Sequence, residues 1–123
     1  MHTMQPVKTL LDRGYMLHIE GTGPNNHPMW MIERFVTRTD DHGRVWGADQ
    51  AIDRATALRM LTINAARFIG EDANIGSLEP GKLADIAVLN GDFLKVADSD
   101  IDTLKIDLTF VGGKLVFDSR LFE

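Results

Sequence analysis

The chain has 123 residues, 44% apolar and 25% charged, with a formal net charge of −5 and no cysteine. That length fits one domain, or part of a larger one, with a modest core. The acidic balance and scattered basic residues argue against nucleic acid or a membrane surface as partner, and the lack of cysteine excludes disulfides, thiolate zinc sites and a cysteine nucleophile.

Pro6 to Gly14 reads as a short helix, with Val7, Leu10 and Leu11 on one stripe and Gly14 as its stop. Tyr15 to Glu20 is strand-like, and the glycine- and asparagine-rich stretch Gly21 to Pro28 is a loop. Met29 to Thr37 is a helix with Met29, Ile32, Phe35 and Val36 on one side, and it ends in the polar turn Thr39 to Gly43. Asp53 caps the strongest helical pattern, which runs through Leu58, Leu61, Ala65 and Phe68 to Gly70. Beyond Gly70 the pattern becomes β. Glu79-Pro80-Gly81-Lys82 is a type II turn, Ala84 to Leu89 a strand, and Ile106 to Val111 a strand that returns through Gly112-Gly113 into Lys114 to Phe117. The class is α/β, with a change of character near residue 70. No apolar run approaches the roughly 20 residues needed to span a bilayer, and no signal pattern opens the chain, so a cytoplasmic protein is expected.

Ala57 to Arg67, and above all Gly76-Ser77-Leu78-Glu79-Pro80-Gly81-Lys82-Leu83-Ala84-Asp85, carry a resemblance. They are similar to the end of the amidohydrolase superfamily, where a glycine-serine strand and a Glu-Pro-Gly-Lys turn enter a small β domain. Val111 to Val116 resembles that domain's last hairpin. Phe35 to Thr39 and Val45 to Ile52 look like its YtcJ-type subgroup. The resemblance implies the last βα units of a TIM-like metallo-hydrolase barrel over residues 1–70, and a small C-terminal β-sandwich domain shared with other parts of the chain over residues 71–123. It also implies an enzyme that acts on non-peptide carbon–nitrogen bonds with a zinc-like divalent metal. On the typical size of this barrel, roughly 300 residues carrying the histidine metal ligands would lie outside this chain. No cofactor is then expected in this chain alone, and its isolated form is expected to be inactive. The partner expected is the missing barrel portion or another copy of the chain; Met16, Trp30, Met31, Phe35 and Trp46 are the apolar residues expected at the surface. A non-enzymatic interaction module derived from the same fold is the alternative.

Five residues are candidates for a site. His18 and Glu20 are two apart on the expected strand, so they share a face. Glu20, beside a glycine-rich loop, is the candidate catalytic remnant; His18 is either a contact at the barrel mouth or a structural strand residue. By the resemblance, the family's last metal-site aspartate falls at Thr22, so no metal ligand is assigned here. His18, Thr22, His27 in the same loop as Thr22, and Arg38 at a helix end are substrate-loop candidates. For His27 the bland reading is a solvated loop histidine, and for Arg38 a cation satisfying the helix dipole. Ser77 has no histidine near it. Glu79 and Lys82 read as solvated turn charges, Asp85 as a backbone acceptor, and Asp98 to Asp102 as a solvated loop.

Overall fold

A computed structural model of the protein describes residues 5–21 and 27–121. Helix α1 (Val7–Asp12) turns Val7 inward and stops at Gly14, whose N–H donates to the Leu11 carbonyl. Helix α2 (Pro28–Thr37) begins with proline at its first position, where the missing N–H costs nothing, and ends at Arg38 in a left-handed conformation. Met29 and Ile32 face the core, as the apolar spacing requires.

The expected strand Tyr15 to Glu20 is not part of any sheet among the described residues. A strand is defined by its ladder, and here the neighbour is a helix. The Ile19 N–H donates to the Met60 carbonyl, and the Leu17 carbonyl accepts from the Asn64 side chain. Ile19 is buried by this docking.

The same contacts bear on the long helix expected from Asp53 to Ile69. It is two helices, α3 (Arg54–Leu61) and α4 (Ile63–Phe68), meeting at Thr62 with φ −115° and ψ −93°. In a continuous helix the Met60 carbonyl would accept from residue 64. Here it serves Ile19, and Asn64 reaches Leu17 with its side chain. The β-branched pair Thr62-Ile63 sits at the break, and the Thr62 hydroxyl bonds back to the Leu58 carbonyl. Asp53 caps α3 as expected, accepting from the Thr56 N–H and hydroxyl.

After α4 the chain folds back on itself. Gly76 has φ +90°, and a Cβ there would stand 2.7 Å from the Ala66 Cβ. Only glycine lets the strand-turn segment lie this close to α4. The Glu79–Lys82 turn closes through the Lys82 N–H and Glu79 carbonyl. Lys82 itself is not a solvated charge: its ammonium, half-buried, bonds the Asp72 carbonyl and Ser77 hydroxyl at 2.6 Å each. The turn needs that cation to fix its return to the end of α4.

Strands β1 (Ile86–Leu89), β2 (Ile106–Val111) and β3 (Lys114–Asp118) form one antiparallel sheet in that order. Ile86 pairs with Phe110, and Leu108 with Asp118. Gly112 and Gly113 both take positive φ, the geometry of a two-residue hairpin. Asp85 accepts from the Gly112 N–H at 2.7 Å, which ties the entry of β1 to the hairpin. It accepts from backbone, but not from the local backbone expected: its partner lies 27 residues along the chain, brought near by the hairpin. The described residues thus give mixed helices and a small antiparallel sheet; they contain one sheet and no second layer packed on it.

The acidic run read as a solvated loop is a 3₁₀ helix, Asp98–Thr103, and it packs against α2. Ile101 explains this, since it is fully buried among acidic neighbours that stay at the surface. The core therefore joins both halves of the chain: Val7, Ile32, Ala57 and Met60 from the helices, Phe93, Ile101 and Leu104 from the β half. Polar clamps cross the same boundary. Buried Glu33 on α2 accepts from the Asp102 N–H at 2.9 Å. The Arg54 guanidinium serves the carbonyls of Phe93 and Val96 and the Asp98 carboxylate. Of the five apolar residues expected at the surface, Met16 and Trp46 are exposed; Trp30, Met31 and Phe35 are half-buried, the last two packed on the core.

Candidate functional site

A cavity of about 550 Å³ opens between the His18–Glu20 segment, helix α2 and the turn after it. That size suits a small molecule. One wall carries His18 and Glu20. The other carries Trp30, Arg34 and Arg38, spaced four apart on one face of α2, and the turn closes the mouth with Asp40, Asp41 and Trp46.

Most polar groups on the α2 wall are engaged. The Arg34 guanidinium donates to the Thr39 carbonyl at 2.6 Å and to the Asp41 carboxylate, and it lies over the Trp30 ring. Its Nε is buried with no hydrogen-bond partner. Arg38 is buried; its Nε donates to the Trp46 carbonyl at 3.2 Å and its Nη2 to the Gln5 carbonyl. Asp40 gathers the turn, accepting from the Trp46 indole N–H at 2.9 Å and from the N–H groups of His42 and Arg44. Those bonds, the Trp46 indole first, hold its carboxyl far below the usual carboxylate range.

Three of the five candidate residues meet here: His18, Glu20 and Arg38. His18 is half-buried and stacks on Phe68, centroids 4.1 Å apart. Glu20 is exposed, and its carboxylate has no hydrogen-bond partner among the described residues. His27 does not line the cavity; it is the residue before α2, and its carbonyl accepts from Met31. Thr22 lies outside the described residues. By themselves Arg34 and Asp40 carry no signal of a site in the sequence, and Trp46 stands out there only as an apolar surface residue. The spacing of Trp30, Arg34 and Arg38 was the available signal, but it reads equally well as a solvated helix face.

The fold is shared with a solved structure: an amidohydrolase from Thermotoga maritima superposes with a TM-score of 0.69 at 23% identity, over 94% of this chain and 26% of that one. A model described as the amidohydrolase family matches residues 4–117, and the chain belongs to that family. It is 31% identical over 115 residues to N-substituted formamide deformylase of Arthrobacter pascens, covering 92% of this chain and 21% of that protein. It is 33% identical over 97 residues to adenine deaminase 1 of Carboxydothermus hydrogenoformans, covering 79% and 12%. The chain therefore spans about a fifth or less of the length of these curated relatives, which are hydrolases of carbon–nitrogen bonds.

The family generally uses a divalent metal. Among the described residues no group of three or more histidines, aspartates or glutamates comes together to hold one. The Asp40 carboxylate is taken up by the turn, Asp41 pairs with Arg34, and His18 has no second histidine or free carboxylate pair beside it among the described residues. A catalytic metal needs about three protein ligands, so these residues do not fit the group and no metal-dependent step is assigned to them. No helix among the described residues is long and apolar enough to cross a membrane.

Proposed function

We propose that this chain is the C-terminal portion of a metal-dependent amidohydrolase that cleaves non-peptide carbon–nitrogen bonds, and that it is inactive by itself. The observation that carries the reading is the match over residues 4–117 joined to the lack of a metal-holding group among the described residues. The relatives' names, a formamide deformylase and an adenine deaminase, point to small amides and amino-substituted heterocycles as substrate classes. In this reading residues 1–70 complete a TIM-like barrel and residues 71–123 form part of a composite β-sandwich, whose second layer comes from outside the described residues. Glu20 and His18 stand at the barrel mouth, with Glu20 as the proton-handling carboxylate. Thr22, His27 and Arg38 shape the substrate loop. The reaction takes place in the cytoplasm.

The partner surface follows from the His18–Glu20 segment. Ile19 and Leu17 turn their backbone groups to α3 and α4. The backbone groups of Met16, His18 and Glu20 have no hydrogen-bond partner among the described residues, and an open edge of this kind is a template for another strand. The missing barrel portion pairs there and covers Tyr15 and Met16; without it, copies of the chain associate. That open edge also supports the second reading, a non-enzymatic interaction module of the same fold.

An antibody against residues 76–89, used on lysate of the source cells, tests the first reading. A reactive polypeptide several times the chain's 13.7 kDa, with metal-dependent hydrolase activity in the captured fraction, is expected. A species of 13.7 kDa only, without activity, would favour the module.

A further inference from the structure

Asn90-Gly91 follows β1 and plays no part in the cavity. Asn90 is exposed, and it holds the end of the β1–β2 pair by two bonds: its N–H donates to the Lys105 carbonyl at 3.0 Å, and its Oδ1 accepts from the Lys105 N–H at 2.9 Å. The Gly91 N–H has no hydrogen-bond partner among the described residues.

These three facts bear on one reaction. A backbone nitrogen that follows asparagine can attack the side-chain amide carbon of that asparagine. The attack is hindered when the next residue has a side chain, or when its N–H is tied into a ladder. Neither obstacle exists at Gly91. The Lys105 N–H, aimed at Oδ1, also stands where negative charge develops as the carbonyl is attacked, which is the role of an oxyanion donor.

We infer that Asn90 is a site of spontaneous deamidation in the folded protein. The Gly91 nitrogen gives its proton to solvent base and forms a bond to the Asn90 Cγ. The Cγ–Nδ2 bond breaks, ammonia leaves with a proton from solvent, and a five-membered succinimide results. Water then opens either carbonyl. One product is aspartate; the other is isoaspartate, in which the main chain runs through the former side chain and is longer by one methylene. The net change is one water consumed and one ammonia released. Isoaspartate breaks the spacing that lets Asn90 make both bonds to Lys105, so the β1–β2 end loosens as the protein ages. The aspartate product keeps an acceptor there and adds charge beside Asp92.

The purified chain, incubated at mildly alkaline pH, is digested and read by mass spectrometry, with isoaspartyl methyl transfer as a second readout. A peptide spanning residues 86–94 and the Asn90→Gln variant serve as controls. Deamidation concentrated at Asn90 over Asn64 and Asn74, at a rate no slower than in the peptide, and absent in the Gln variant, is the expected result. A folded chain strongly protected relative to the peptide, or modified equally at Asn64 and Asn74, would overturn it.

Discussion

At the scale of single residues, Glu33 has the clearest energetic signature. The residue is buried, and its carboxylate takes a hydrogen bond from the Asp102 N–H. Burial raises its pKa from the ordinary 4.5, and the backbone bond from Asp102 opposes that only in part. A raised folded-state pKa favours the folded form when the group is protonated, so this contribution is present below 4.5 and is lost as pH rises through the folded value. Glu33→Gln keeps an acceptor for Asp102 and removes the charge. Thermal unfolding of both proteins across the acid range should show the wild type losing ground to the variant as pH rises. A difference that stays constant with pH would contradict the assignment. Arg54 is the other residue whose loss should be costly. Arg54→Met removes the guanidinium that lies over the Phe93 ring and leaves the Phe93 and Val96 carbonyls without their donor, at a cost of about 1–3 kcal/mol in denaturant unfolding.

Between elements, the join of α4 to the strand-turn segment depends on close approach at Gly76. Gly76→Ala would place a methyl 2.7 Å from the Ala66 Cβ at a φ of +90°, so both packing and backbone oppose it. A loss of about 1–3 kcal/mol is expected, measured by urea titration. This region was the most legible in the sequence. Gly76 to Leu89 and the Gly112-Gly113 hairpin depend on local rules of turn and alternation, and local rules are what one sequence displays. The break at Thr62 was not legible, because its cause lies some 40 residues away at Ile19. The apolar stripe of α3 and α4 is continuous, and only the tertiary demand on the Met60 carbonyl shows why the helix is not. The 3₁₀ helix at Asp98–Thr103 escaped for a similar reason: one buried isoleucine among five acidic or hydroxyl neighbours carries little periodic signal.

For the whole molecule, the firmest family marker, Gly76 to Leu89, is one contiguous segment, and the cavity is not. The markers are structural and place the chain in the amidohydrolase family. The cavity draws on three separate segments, so sequence spacing revealed His18 and Glu20 but not Arg34, Asp40 or Trp46 facing them. The open edge at Met16 to Glu20 predicts that the isolated chain self-associates; a monomer by light scattering well above micromolar concentration would remove that expectation. The described residues carry the amidohydrolase family's markers and bring together no group that could hold a catalytic metal. The most direct test is an assay of the isolated chain with zinc or manganese on N-substituted formamides and on adenine. No turnover beyond that of the metal in buffer is predicted. Saturable, metal-dependent hydrolysis that disappears in Glu20→Gln would contradict it.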